Sequence, residues 1–122
     1  MIESVSFELA KLLKEKGYDR QTINIYLDGV LLSLKAAISN SQFMTSRSYT
    51  APTISEVILW LYEVHNIWIT AEPFTKSDNS VVYIYKIFKG SVVDTISRVS
   101  NGFRSLPRAY EAAIEYTLLN LI

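Results

Sequence analysis

The chain has 122 residues, 49% apolar and 20% charged, which suits one compact domain over residues 1–122; no apolar run approaches the ~18 residues of a membrane span. Twelve basic and twelve acidic side chains cancel, so any attraction to nucleic acid or an anionic membrane has to come from a local patch. The absence of cysteine excludes disulfides, thiolate catalysis and thiolate metal sites, and the amino terminus shows no basic-then-apolar leader pattern; a soluble, cytoplasmic protein is expected.

Val5, Leu9, Leu12 and Leu13 share one helical face, away from Glu8, Lys11, Lys14 and Glu15, which predicts a first helix over residues 4–16. Gly17 ends it, and Tyr18 is expected to fold back onto Leu13. TINIYLDGVLLSL then reads as a hairpin, because Asp28-Gly29 supplies the positive φ values of a two-residue type I′ turn. Pairing Leu27 with Val30 sets Ile25 opposite Leu32 and Ile23 opposite Leu34. Six apolar side chains would then share a core face, with Thr22, Asn24, Ser33 and Lys35 on the other. Residues 39–50, SNSQFMTSRSYT, have no period and read as a mobile loop whose Phe43, Met44 and Tyr49 tuck under the sheet or the second helix, projection of these aromatics toward a partner being the less favoured reading.

Residues 51–74 hold the clearest start signal. Thr53 and Glu56 have capping-box spacing, and Val57, Trp60, Leu61 and Val64 form the apolar stripe of a second helix. Asn66 suits the left-handed ending. From Ile67 the pattern alternates, with Ile67, Ile69 and Ala71 against Trp68, Thr70 and Glu72, until Pro73 removes a ladder donor. Ser77-Asp78-Asn79-Ser80 marks a turn into VVYIYKIF, where Val82, Ile84, Lys86 and Phe88 face one way and Val81, Tyr83, Tyr85 and Ile87 the other. Apolar character on both faces fits a central strand. Residues 91–96 read as a short strand and residues 98–104, with Asn101-Gly102, as loop. Pro107 opens a last helix along Leu106, Tyr110, Ala113, Ile114, Leu118, Leu121 and Ile122.

The fold class is therefore α+β, in the order α-β-β-α-β-β-(β)-α, with an antiparallel sheet and helices mainly on one face.

The capped APTISEVILWLYEVHNIWITAEPF, the glycine-ended first helix with its GYD and the closing YEAAIEYTLLNLI together resemble a family of small uncharacterised proteins from phages and prophages of gut bacteria. The family pairs an APT-x-x-E-x-x-x-WL segment, leading into a strand, with a closing helix that starts YEEAL-like. The resemblance covers about half of the chain and lies in caps and core positions. It implies an accessory product of a mobile element and carries no activity, cofactor or site.

His65 is the only histidine, so neither a Ser-His-Asp triad nor a two-histidine metal site assembles within one chain. In the last turn of a helix a histidine more often serves the helix dipole than catalysis. Glu56 and Glu63 lie seven apart, but Glu56 is explained by its cap, and a hydrolytic carboxylate pair with Glu72 or Asp94 has little to support it. There is no phosphate loop, dinucleotide fingerprint or calcium loop. Neither catalytic residues nor a cofactor or metal is expected.

Two readings of function remain. Residues 73–108 carry Lys76, Lys86, Lys89, Arg98, Arg104 and Arg108 against only Asp78 and Asp94. Lys86, Lys89, Arg98, Arg104 and Arg108 could contact nucleic acid, with Tyr83 and Tyr85 stacking on bases. The final helix, however, lacks the lysine cluster that opens the equivalent helix of a double-stranded-RNA-binding domain. The favoured reading is a non-enzymatic protein-interaction module, a homodimer being one form of it, because eight tyrosines, five phenylalanines and two tryptophans exceed what the apolar stripes need. Trp68, Tyr83 and Tyr85, if they share the sheet face opposite the helices, form its surface.

Overall fold

The computed structural model describes residues 3–43, 46–90 and 95–122, without the side chains of residues 95–101. Met44, Asp94, the strand start expected at Ser91 and the side chain of Arg98 therefore lie outside the described residues. Three helices and two three-stranded antiparallel sheets give the α+β class and, with one added short strand, the expected order. The chain divides into two compact units, residues 2–54 and residues 55–122.

In the first unit, helix α1 (Phe7–Glu15) begins three residues later than its periodicity predicts. Ser4 is held instead in an antiparallel bridge to Thr53, and Ser6 becomes the cap, its Oγ accepting from the Leu9 N–H at 3.3 Å. The ending is as expected: Gly17 has φ +91°, and the Tyr18 N–H donates to the Leu13 carbonyl at 2.9 Å. Strands β1 (Thr22–Leu27) and β2 (Val30–Ile38) join through Asp28 and Gly29, both at positive φ, in the predicted register from Leu27↔Val30 to Asn24↔Ser33. Beyond Asn24 the register shifts so that Thr22 meets Ile38, and the expected Ile23↔Leu34 pair is not made.

The proposed core face of this hairpin is a correction. Ile25 is buried, but Ile23, Leu27, Val30 and Leu32 are exposed, and so is Leu31 on the opposite face. The strand order β2-β1-β3 explains this, because α1 packs against β3 (Ser48–Thr50) and leaves β2 at the far edge.

The described residues of 39–50 are not the loose loop that their composition suggests. They contain a single 3-10 turn, Asn40–Gln42, and the strand β3. Asn40, buried, donates through Nδ2 to the Tyr18 carbonyl at 2.7 Å and accepts at Oδ1 from the Thr50 N–H at 2.9 Å. Asp19 accepts from the Ser41 N–H at 2.7 Å, and Lys14 Nζ donates to the Ser48 carbonyl at 2.9 Å. Tyr49 tucks against α1 rather than under the sheet or the second helix: it lies edge-on to Phe7 with ring centroids 5.7 Å apart, and Lys14 lies over the rings of both Tyr49 and Phe43.

In the second unit, α2 (Ile54–His65) starts immediately after Thr53 and buries Val57, Trp60 and Leu61, whereas Val64, at the end of the predicted stripe, is exposed. Asn66 takes φ +55° and turns the chain into β4 (Ile67–Thr75). Strands β5 (Val81–Lys89) and β6 (Thr95–Phe103) complete a sheet of order β4-β5-β6. β5 is the central strand, with Ile84 and Tyr85 buried on successive positions, and α3 (Leu106–Asn120) packs on all three strands.

Two breaks expected from the sequence do not occur. β4 runs through Pro73, because β4 is an edge strand and its even-numbered side of the backbone bonds to β5. The Gly90 N–H donates to the Asn66 carbonyl and the Lys76 N–H to the Ser80 carbonyl, in the same register as the strand, so odd-numbered residues turn their backbone groups outward. Pro73 thus lacks only an outward N–H. Residues 98–104 lie mostly in β6: Asn101-Gly102 sits within a register shift of a strand rather than in a loop, Gly102 at φ +63°. A Cβ there would come within 2.6 Å of Val82 Cβ. The last helix begins where expected, capped by Ser105 Oγ, which accepts from the Arg108 N–H at 3.4 Å.

Candidate interaction surface

The surface centres on Trp68, which the left-handed turn at Asn66 sets on the sheet face away from Ile67 and Ile69. Trp68 is 43% exposed and lies edge-on to Tyr62 of α2, ring centroids 5.2 Å apart at 80°. Across the ladder it pairs with Phe88, while Thr70 pairs with Lys86 and Glu72 with Ile84. Lys86 Nζ lies 3.0 Å from Glu72 Oε1. Tyr62, Trp68, Thr70, Glu72, Lys86 and Phe88 line an open groove of about 580 Å³.

A second groove, of about 350 Å³, runs between α2 and β4. Ser55, Ile58 and Leu59 form its helical wall, Trp68, Ile69 and Thr70 its strand wall, and Tyr110 of α3 completes it. Trp68 and Thr70 therefore border both grooves.

The expected trio does not assemble. The register pairs Ala71 with Tyr85 and Pro73 with Tyr83, so both tyrosines share the face of Ile67, Ile69 and Ile87, opposite to Trp68. Tyr85 is only 4% exposed and stacks at a tilt on Phe103, 6.1 Å away. It belongs to the core beneath α3. Tyr62, Leu59 and Phe88 take the places beside Trp68 that sequence reasoning assigned to the tyrosines. Tyr62 carried a signal, since it falls off the stripe of Val57, Trp60 and Leu61 and so faces outward. Nothing local joins it to Trp68, because the αL turn at Asn66 brings them together.

Neither a family model, nor a curated protein, nor a solved structure matches this chain.

Three of the basic residues are placed beside acidic ones. Lys86 is ion-paired with Glu72, and Arg104 and Arg108, both exposed, line a groove of about 450 Å³ together with Glu111 and Glu115. Lys89 is exposed and pairs across the ladder with Ile67. The backbone of Arg98 pairs with Tyr85. His65 sits edge-on to Trp60 with centroids 4.9 Å apart, a packing role at the end of α2. Among the described residues no group of three His, Cys, Asp or Glu side chains could hold a metal ion, and no helix is long and apolar enough to cross a membrane.

Proposed function

We propose that the protein is a non-enzymatic protein-interaction module, of the accessory kind that its phage-like sequence features imply, and that it also associates with a second copy of itself. The observation that carries the first part is Trp68, a large aromatic side chain left accessible between two grooves with mainly apolar walls. Support for the second part comes from the β1–β2 hairpin, where Ile23, Leu27, Val30 and Leu32 are exposed on one face of a small sheet whose edge strand is β2. Contiguous apolar surface of that kind marks an association site more often than it marks a free monomer.

Light scattering across a dilution series tests self-association. Wild type is expected to shift from dimer to monomer on dilution, and Val30→Lys/Leu32→Lys to remain monomeric with an unchanged melting temperature. Affinity capture from host lysate, run in parallel with wild type and Trp68→Ala, tests the surface. A monomer at every concentration that also retains no Trp68-dependent partner would sink the proposal.

A further inference from the structure

Resting on the self-association reading, we infer that two copies of the chain join along the outer edge of β2, antiparallel about a twofold axis at Leu32, so that their three-stranded β2-β1-β3 sheets run into one another in a closed dimer.

Backbone parity decides which residues can reach a second strand. The Ala51 N–H donates to the Asn24 carbonyl at 2.8 Å, so even-numbered residues of β1 bond to β3 and its odd-numbered residues to β2. Ile25 and Leu27 therefore bond to Leu32 and Val30, and Leu31 and Ser33 turn their N–H and C=O groups away from β1. Among the described residues no strand pairs with that edge, and residues 30–33 are all exposed. With the axis at Leu32, Leu31 of each copy meets Ser33 of the other, donor to acceptor in both directions. Leu32 then faces its own copy across the axis, and Val30 and Leu27 extend the same apolar face to either side.

What selects a second copy as the occupant is that this edge is complementary to itself. Edge strands are usually guarded by shortness, a charge, a proline or a cover. β3 has three residues, β4 is covered at Ile67 and Ile69 and interrupted at Pro73, and β6 carries Arg98. The segment Val30-Leu31-Leu32-Ser33-Leu34 has none of these guards. The first charge beyond it is Lys35, and an axis at Leu32 keeps the two Lys35 side chains at opposite ends of the contact, whereas an axis at Lys35 would set them face to face. Past Asn24↔Ser33 the register shift ends the straight ladder, so the contact is short. It also closes: each copy uses its β2 edge once, and none is left for a third chain. Ile23, Leu27, Val30 and Leu32 on one face and Leu31 on the other are the apolar surface available to it, which places the contact at the low end of specific interfaces, about 1,200 Å² in all. A dimer of that size dissociates on dilution.

The experiment is disulfide cross-linking of the full chain, which has no cysteine of its own, so that a single introduced thiol reports the pairing. Residues opposed at a non-hydrogen-bonded position lie about 4.5 Å apart at Cα, within disulfide reach, whereas Val30 and its own copy would stand about four residues apart along the strands, on the order of 13 Å. Under mild oxidation Leu32→Cys is expected to form a linked dimer on a non-reducing gel at least about tenfold faster than Val30→Cys, although Val30 is the more exposed of the two. Ser33→Pro, which deletes an outward N–H that the β1 ladder does not use, should raise the dissociation constant of the dimer about tenfold in analytical ultracentrifugation. Circular dichroism checks that this variant is folded; if it is not, the cross-linking decides alone. Equal cross-linking of the two thiols, or a folded Ser33→Pro that dimerises as tightly as wild type, would overturn the strand-pairing inference. If wild type still dimerises in light scattering in that case, the self-association reading stands with a different contact; a wild type that is monomeric at every concentration removes both.

Discussion

Asn40 joins three parts of its unit with one side chain: it donates to the carbonyl of Tyr18, after α1, and accepts from Thr50 of β3, while sitting in the turn between β2 and β3. Asn40→Ala would leave a buried N–H and a buried carbonyl unmet, so a loss of about 2–3 kcal/mol is expected in urea unfolding. Asp19, next to Tyr18, acts on the same turn from outside. The hydrogen bond from the Ser41 backbone N–H, with help from the Ser41 and Ser39 hydroxyls and against slight desolvation, holds its carboxyl below the ordinary value. A lowered pKa means that the folded state favours the charged form. Its contribution is therefore present above the unfolded value of about 3.9 and is lost as pH falls through the lower, folded value. Asp78 shifts in the same direction through the Ser80 hydroxyl and N–H, so wild-type behaviour alone does not isolate Asp19. Asp19→Asn keeps the acceptor and removes the titration. The stability gap between wild type and Asp19→Asn should narrow as pH is lowered from 5 toward 2, and a constant gap would contradict the assignment.

At the scale of elements, strands β2 and β6 share a device: each breaks register with its neighbour, β2 opposite Ile23 and β6 opposite Ile84. In β6 the break depends on Gly102, whose positive φ and approach to Val82 leave no room for a side chain. Gly102→Ala is expected to cost about 2 kcal/mol or more, with partial recovery in Gly102→Ala/Val82→Ala, whereas Gly90→Ala, at φ +76° with open space around it, should cost about 1 kcal/mol. Chemical denaturation of the four proteins decides it.

These breaks mark where the sequence was legible and where it was not. Caps, turns and stops rest on side chains a few residues apart, and the expectations at Gly17, Asp28-Gly29, Asn66 and Pro107 were met. Register shifts rest on a neighbour far along the chain. Residues 98–104, with Asn101-Gly102, therefore read as loop, and Ile23↔Leu34 as a pair. The candidate surface followed the same rule. The outward position of Trp68 was readable from alternation, but its separation from Tyr83 and Tyr85 needed the parity of the β4–β5 pairing, and the polar ties of Asn40 needed the whole unit.

For the whole molecule, the placement of charge argues against nucleic acid as the partner. Of the basic residues over 73–108, Lys86 is paired with Glu72, and Arg104 and Arg108 share a groove with Glu111 and Glu115. Anisotropy with labelled single- and double-stranded oligonucleotides at ~50 mM salt should show no binding that weakens as salt is raised; a steep salt dependence would revive that reading.

Pro73 has a consequence for solution behaviour beyond its place in a strand. Past Ala71 the outer edge of β4 is exposed, and an exposed edge is a template on which further chains can stack; the missing N–H at Pro73 interrupts it. Pro73→Val would extend it by one complete pair of donor and acceptor. The variant should form fibrils after a shorter lag in thioflavin fluorescence while its monomer remains folded. The proline would then protect solubility by breaking the exposed stretch of that edge.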